Sequence, residues 1–248
     1  MSGRFRFSLT QLFLVTTLCA LAAGLVAATQ ERTHWAFVQS LAFSPDGRRV
    51  AVVYDTQGIQ CWDISRPASR PSRSGGGDFG LAQDLQFIGP DQVAFLCNNA
   101  EIVVRDLTAN QEVRRIAVRP RADRLAVSPD APWAVTSSFA GTALDVWELE
   151  TGARVVTLTP PKELLGRPLG QCHISRDGRR VVAACFAPGA GFDVLVWDGL
   201  ELSASHDGEL TACAANPPRL LRVGNGSSPF AVDVTPDGKR LVLLEPGV

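Results

Sequence analysis

The sequence is 248 residues long and carries 24 Lys and Arg against 25 Asp and Glu, which gives a net charge of −1. Hydrophobic residues make up 46% of the chain and charged residues 20%, a balance that excludes an intrinsically disordered protein. The near-neutral charge excludes an overall basic field, so we expect no nucleic-acid partner. The length suits one large β domain or two small ones.

The N-terminal segment is apolar enough to cross a membrane. No charged residue occurs from residue 7 to residue 30, and residues 9–28 are mostly Leu, Ala, Val and Phe. About twenty such residues span a bilayer as a helix. Arg4 and Arg6 precede the segment, a bias that keeps the N-terminus cytoplasmic and places the rest outside. We therefore predict a signal-anchor, one transmembrane helix within residues 1–30, which contacts the lipid bilayer and holds the protein at the cell membrane.

Two other interpretations of this segment stay open. Val26-Ala27-Ala28 supplies the small residues of a signal-peptide cleavage site, and cleavage there would release a secreted or periplasmic protein. A buried core helix is the third interpretation, and it is disfavoured because the sequence that follows has a β pattern throughout.

A unit of strands and a turn recurs along the rest of the chain. It first appears as LAFSPDGRRVAVVYDTQGIQCWDIS, at residues 41–65. Similar units occupy residues 84–108, 124–150, 171–199 and 230–248. Their turn aspartates are 45, 39, 47 and 60 residues apart, at Asp46, Asp91, Asp130, Asp177 and Asp237.

The composition of the first unit predicts three strands and a tight turn. Leu41 and Phe43 alternate with a small residue, as in a strand with one strongly apolar face. Residues 44–47, Ser-Pro-Asp-Gly, have turn chemistry, because Pro presets φ, Asp bonds the backbone two residues on, and Gly accepts a positive φ. Residues 50–54 are nearly all apolar, which suits a strand covered on both faces, and residues 58–63 predict a third strand.

Further short segments complete a four-stranded unit. Residues 112–118 and 153–158 have the pattern of strands that follow the second and third units. Four strands in about 40–45 residues is the period of a β-propeller blade, and blades that stack on both faces explain the continuous apolar runs. We expect an all-β propeller of about four to five blades over residues 31–248, with no α-helix after residue 30.

The third strands end in a recurring dipeptide: Trp62-Asp63, Arg105-Asp106, Trp147-Glu148 and Trp197-Asp198. On this dipeptide and the Ser-Pro-Asp-Gly turns, the chain resembles the WD-repeat β-propeller family over roughly residues 36–248. The Pro-Asp-Gly-Lys/Arg turns also resemble the propeller of the periplasmic Tol system. The resemblance implies that the turn and dipeptide acids are structural and that the propeller binds other proteins.

The chain departs from the family pattern at several points. No unit opens with Gly-His, so the buried His-Asp-Ser-Trp network of strict members is not expected. Ala131 replaces the turn glycine of the third unit, and Arg176 replaces the turn proline of the fourth. The fifth unit stops after its second strand, whereas seven blades are usual in the family. We expect an incomplete or irregular ring that residues 34–40 close, that two self-associating chains complete, or that belongs to a longer design.

The segments between the units have the composition of loops. Residues 66–80, RPASRPSRSGGGDFG, predict a solvated linker rather than a basic loop for an anionic partner. Residues 159–170 and 214–229 are longer inserts with paired prolines, and loops of this kind on a rigid scaffold are where binding residues often lie.

No set of residues with catalytic or metal-ligating spacing occurs. The three histidines, His34, His173 and His206, share no ligand spacing, and the six cysteines contain no C-x-x-C pair. We therefore predict no catalytic, cofactor-binding or metal-binding residues and no cofactor. His173 is expected in the core, and four cysteines are expected as buried thiols within strands: Cys61, Cys97, Cys172 and Cys185.

The leading functional hypothesis is a membrane-anchored, non-enzymatic scaffold that binds an unknown protein partner. Its alternatives are a periplasmic Tol-like propeller released by signal cleavage and a truncated member of a larger propeller protein. A small-molecule or metal-dependent propeller enzyme is a weaker alternative, which a stoichiometric bound metal would favour.

Overall fold

The computed structural model is all-β. It describes residues 38–54, 58–66, 71–74, 81–98, 100–187, 191–204, 210–214, 217–223, 231–235 and 239–244. Within these ranges there are twenty strands and one 3₁₀ turn, Lys162–Leu164, and no α-helix. The expected absence of α-helix from the repeat region is confirmed for the residues described. The predicted signal-anchor and the boundary at residue 30 lie outside them.

Four antiparallel four-stranded sheets follow one another along the chain, and we call them blades 1 to 4. In blades 1 to 3 the spatial order of the strands is their order in the sequence. Blade 1 consists of β1 (Val38–Phe43), β2 (Arg49–Tyr54), β3 (Gly58–Asp63) and β4 (Ser72–Ser74). Blade 2 consists of β5 (Ala82–Phe87), β6 (Gln92–Cys97), β7 (Glu101–Asp106) and β8 (Gln111–Ala117). Blade 3 consists of β9 (Arg124–Val127), β10 (Trp133–Ser137), β11 (Leu144–Glu148) and β12 (Arg154–Leu158).

Blade 4 is irregular because a hairpin interrupts it. Its sheet has the order β13 (Leu169–Ile174), β14 (Arg180–Ala187), β15 (Gly191–Asp198), β18 (Arg219–Val223). The hairpin β16 (Leu200–Ala204) and β17 (Leu210–Ala214) forms a separate two-stranded sheet between β15 and β18. A last two-stranded sheet, the fifth unit, contains β19 (Ala231–Val234) and β20 (Leu241–Leu244).

The blades are arranged as in a four-bladed propeller, with the first strands of successive blades side by side. Contacts run from β1 to β5, from β5 to β9, from β9 to β13 and on to β19 of the fifth unit. In the described part of the chain, β19 and β1 do not pack on each other to a comparable extent. The predicted propeller architecture is thus confirmed at the level of blades and their sequence.

Apolar clusters between neighbouring blades form the core. Ala51, Val53 and Ile59 of blade 1 pack against blade 2, where Phe95 is fully buried. A second cluster lies between blades 2 and 3 and a third between blades 3 and 4, where Trp197 is buried. Because each middle blade is covered on both faces, the residues of its second strand are buried in succession, without the alternation of a strand that has one exposed face.

The turn between β1 and β2 has the hydrogen bonds that its sequence predicts. The Asp46 carboxylate accepts a hydrogen bond from the Ser44 hydroxyl at 2.5 Å and another from the Arg48 backbone N–H at 3.0 Å. Both bonds hold the pKa of Asp46 below its ordinary value. Gly47 takes a φ of +68°, which glycine adopts at little cost. The fourth unit repeats the pattern with Ser175, Asp177, Gly178 and Arg179.

Two segments expected to be loops contain strands. The linker at residues 66–80 contains β4, which pairs with β3 and completes blade 1. The insert at residues 214–229 contains β18, which pairs with β15 and completes blade 4. In both cases backbone pairing to an existing sheet forms the strand. The composition of β4, Ser-Arg-Ser, gives no sign of it, whereas β18 is Arg-Leu-Leu-Arg-Val and is largely apolar.

Candidate functional site

The main candidate site is a cleft of about 430 Å³ between blades 2 and 3, at the end of the blades where the β1–β2-type turns lie. We call it the turn-end cleft. Its volume lies within the range of about 300–1,000 Å³ that binding pockets commonly have. It is lined by Ile88, Gln92, Val104, Val113, Arg114, Pro129, Asp130, Ala131, Pro132, Leu149 and Glu150.

The floor of the turn-end cleft is apolar. Val104 and Leu149 belong to the buried cluster between blades 2 and 3, and Ile88 packs against that cluster while staying half-buried. Val113 lies on β8, the outermost strand of blade 2, and is 47% exposed. An apolar side chain of a partner that entered the cleft would therefore contact this buried cluster and cover Val113.

Hydrogen bonds hold the walls of the cleft in place. The Leu149 N–H donates to the Pro132 carbonyl at 2.8 Å and joins two turns of blade 3. Arg114 Nη1 of blade 2 makes a long, exposed hydrogen bond of 3.5 Å to the Thr151 carbonyl of blade 3, which adds little to this. Because the walls are fixed by their own contacts, a ligand meets a formed surface and little ordering cost is added on binding.

The turn of blade 3 is also fixed from the other side. Asp130 accepts a hydrogen bond from Arg176 Nε at 2.6 Å, while the Arg176 carbonyl accepts from the Ser128 hydroxyl at 2.6 Å and from the Asp130 N–H. Arg176 is the residue that replaces the expected turn proline, and Asp130 belongs to the turn in which Ala131 replaces glycine. The two departures from the family turn thus occur in turns that are bonded to each other.

The charges of the cleft lie at its rim. Arg114, Asp130 and the exposed Glu150 surround the apolar floor. This arrangement of apolar centre and polar rim is typical of surfaces that bind protein segments.

The sequence did not predict this cleft. The one local signal is an apolar residue, Val113, in an otherwise polar and charged stretch of β8, Gln111 to Arg115. The other lining residues come from turns of two blades, and their meeting depends on how the blades stack.

The acids of the turns and dipeptides make structural contacts. Asp91 binds Arg49 Nη1 of blade 1 at 2.9 Å and the Thr108 hydroxyl at 3.1 Å. Asp106 accepts from the Thr108 and Ala109 backbone N–H groups, which lower its pKa. These contacts agree with the structural role expected for such acids. Asp237, in the turn of the fifth unit, lies outside the described residues.

Blade 3 contains a buried hydrogen bond between a tryptophan and a hydroxyl. Trp147 Nε1 donates to the Thr136 hydroxyl at 2.9 Å, with both side chains buried. A pocket of about 280 Å³ adjoins Thr136, lined by hydroxyl and charged side chains such as Arg121, Asp145 and Thr157. None of the residues that line this pocket is a histidine.

The cysteines and His173 lie in strands as predicted. Cys61, Cys97, Cys172 and Cys185 are buried thiols. Burial raises the pKa of Cys172 to about 12, so this thiol stays protonated at neutral pH. His173 lies in β13 but is half-buried rather than in the core. His34 and His206 lie outside the described residues.

Asp84 is a carboxylate at the junction of blades 2 and 3. It accepts a hydrogen bond from the Leu125 N–H of β9 at 2.8 Å and has a positive φ of +51°. Desolvation raises its pKa, while the Leu125 hydrogen bond and the charge of Arg124 oppose the rise. At neutral pH the Asp84 carboxylate is therefore less well solvated by water in the folded state than in the unfolded chain.

Asp84→Asn is expected to raise the free energy of unfolding at neutral pH. The amide oxygen keeps the acceptor for Leu125, Asn tolerates a positive φ, and the buried charge is removed. As the pH falls from about 7 to about 4, the wild-type carboxyl takes up its proton and the advantage of the variant shrinks. Urea unfolding of both proteins across this range checks the prediction. A variant that is less stable at neutral pH, or an advantage independent of pH, would contradict it.

No group of three or more His, Cys, Asp or Glu side chains suited to a metal ion occurs in the described ranges. Within the same ranges there is also no helix with the length and apolar character that a membrane crossing requires. No protein-family model matches this chain, and no curated protein matches it in sequence.

Proposed function

We propose that this protein is a WD-repeat-like propeller that serves as a non-enzymatic protein-interaction module, held at the cell membrane by residues 9–28 with the propeller outside the cytoplasm. The observation that carries the interaction role is the turn-end cleft, an apolar floor open to solvent between fixed walls. The membrane position depends on the apolar N-terminal sequence and the arginines before it. A propeller fold alone is compatible with many functions, so the interaction role depends on the cleft.

The partner surface that fits is an apolar side chain flanked by polar groups. Val113, at 47% exposure, is the lining residue that a partner would cover, while Val104 and Leu149 are already buried. Covering the floor releases water from apolar surface, which is the main favourable term in association. The rim charges of Arg114 and Glu150 then select orientation more than they add affinity.

Site-specific photo-crosslinking tests the interaction role. The full chain carries the photoreactive residue p-benzoylphenylalanine in place of Val113, and a control carries it in place of Leu165, which is 58% exposed on a loop after the 3₁₀ turn. Irradiation in the native host is expected to give a discrete adduct from position 113 and none of the same mass from position 165. The proposal is overturned if position 113 gives no adduct, or if both positions give adducts of the same mass.

A further inference from the structure

Blade 3 has a polar pair of side chains at a place where blades 2 and 4 have an apolar pair. In each of these blades, the residue two positions before the recurring dipeptide pairs with a residue of the second strand. The apolar pairs, all fully buried, are Val103 with Phe95 in blade 2 and Leu195 with Ala183 in blade 4. In blade 3 the pair is Asp145 with Thr136. A polar pair at a core position costs stability unless it finds partners, which indicates a role other than packing.

The polar pair faces a cavity. Trp147, two residues after Asp145 on β11, packs in the cluster between blades 2 and 3, so Asp145 and its partner Thr136 also project toward blade 2. The pocket of about 280 Å³ lies in front of them, and we call it the blade 3 pocket. It lies beside the β10–β11 loop, whereas the turn-end cleft adjoins the β9–β10 turn. The two sites are therefore at opposite ends of blade 3.

Two groups deep in the blade 3 pocket keep unused hydrogen-bonding capacity. Thr136 is 3% exposed, and its hydroxyl accepts from Trp147 Nε1 at 2.9 Å while no residue in the described ranges accepts its proton. The Asp145 side chain is 14% exposed, and its Oδ1 accepts from the Thr157 hydroxyl at 2.6 Å. Its Oδ2 receives no hydrogen bond from any described residue. Because Thr136 and Asp145 are directly opposite in register, a donor and an acceptor lie side by side.

The mouth of the blade 3 pocket is basic. Arg121 and Arg154 line it and are exposed. Arg154 Nη1 lies 3.6 Å from Asp145 Oδ1, and Arg121 Nη2 donates to the Asn98 carbonyl at 3.0 Å. A guanidinium has five N–H donors, so both arginines retain donors for a ligand. Two guanidinium groups and one carboxylate give the lining a formal charge of +1, which favours a ligand with a single negative charge.

We propose that the blade 3 pocket binds a small hydroxycarboxylic acid, of the class of sugar acids. A hydroxyl of the ligand lies between Thr136 and Asp145, because a hydroxyl accepts one hydrogen bond and donates another, as this pair requires. The carboxylate of the ligand lies toward Arg121 and Arg154, whose guanidinium groups match its geometry. The pocket volume is just below the range of about 300–1,000 Å³ typical for drug-sized ligands, which suits a smaller molecule.

Isothermal titration calorimetry of the full chain, in detergent where the N-terminal segment requires it, tests the proposal with matched probes. Gluconate is compared with sorbitol, which lacks the carboxylate, and with hexanoate, which lacks the hydroxyls. Glycerate is compared in the same way with glycerol and propionate. At least one of the two hydroxy acids is expected to bind saturably and about tenfold more tightly than its two analogues, because each analogue loses one set of hydrogen bonds.

Two titration results overturn the proposal. The first is the absence of saturable binding by both hydroxy acids, which is the result expected if ordered water alone satisfies Thr136 and Asp145. The second is equal affinity for a hydroxy acid and its analogues, because the carboxylate or the hydroxyls would then contribute nothing.

Variants assign the binding to the blade 3 pocket. Thr136→Val removes the buried donor and is expected to weaken binding of the hydroxy acid about tenfold, whereas Thr136→Ser keeps a hydroxyl and is expected to bind more tightly than the valine variant. Arg121→Gln is expected to weaken binding about fivefold. Arg66→Gln is the matched control, because Arg66 has an 81% exposed side chain in blade 1 and is expected to leave binding unchanged.

Unchanged affinity in both Thr136→Val and Arg121→Gln overturns the proposal, as does an equal loss in Arg66→Gln. Circular dichroism shows whether each variant keeps the fold. If Thr136→Val does not fold, the comparison of Arg121→Gln with Arg66→Gln decides, because both change exposed side chains. None of these residues lines the turn-end cleft, so this test and the crosslinking test fail independently.

Discussion

Replacing Trp197 with alanine is expected to lower the free energy of unfolding by about 3–5 kcal/mol. The Trp197 side chain is 1% exposed and lies in the cluster between blades 3 and 4, so its loss leaves a cavity between these two blades. Relaxation of two hydrogen-bonded sheets around that cavity is limited, and the cost of the cavity adds to the lost transfer free energy. Urea unfolding of wild type and variant measures the difference.

Trp62→Ala is the matched control for this prediction. Trp62 has the same place at the end of the third strand of blade 1, where it pairs with Val50 as Trp197 pairs with Val181. It is only half-buried. Its removal is therefore expected to lower the free energy of unfolding clearly less than the removal of Trp197 does. Equal losses would contradict the difference in burial between the two tryptophans.

Gly178→Ala is the second substitution with a large expected effect. Gly178 has a φ of +73°, and a Cβ added there would lie 2.8 Å from Trp133 Cδ1 and 3.0 Å from the Ala131 Cβ. The left-handed conformation costs an L-residue about 1–2 kcal/mol, and displacement of the blade 3 turn adds to that cost. Thermal unfolding is expected to show a marked fall in melting temperature.

Gly47→Ala separates the two causes. Gly47 occupies the same position of the blade 1 turn with a φ of +68°, and nothing lies within 4 Å of its added Cβ. This variant is expected to show only the conformational cost, so it should be the more stable of the two. If both variants lose the same stability, the contact between the turns of blades 3 and 4 contributes nothing.

The repeat pattern predicted much of the fold because each unit is local. The Ser44-to-Gly47 turn determines a hairpin from its own four residues, and the apolar run from residue 50 to residue 54 predicts β2, whose three middle residues are buried. These signals need no knowledge of distant contacts. The order of the blades then follows from the order of the units.

The missed strands depend on pairing that composition does not record. β4 is Ser-Arg-Ser, an outermost strand that joins blade 1 through backbone hydrogen bonds. β18 pairs with β15 across an intervening hairpin, so the two partners are not neighbours in the sequence. A strand at the edge of a sheet needs no apolar face of its own, so a polar stretch gives no warning of it.

The turn-end cleft was not predictable for a related reason. Its residues come from two blades and from turns that the sequence marks only as turns. Val113 and Leu149 lie 36 positions apart, and no pattern within either unit connects them. The apolar side of β1, in contrast, is visible in the alternation of Leu41 and Phe43 with a small residue, although only the packing of the blades shows that this pair is left uncovered.

The N-terminal tether determines where the protein acts, and intact mass with cell fractionation tests it most directly. The full chain is produced in a bacterial host with a tag at its C-terminus, and the tag is exposed to protease from outside the cytoplasmic membrane. We predict the full-length mass in the membrane fraction and a tag that the protease removes. A protein lacking about the first 28 residues in the soluble exported fraction, or a full-length protein in the cytoplasm, would contradict the tethered propeller.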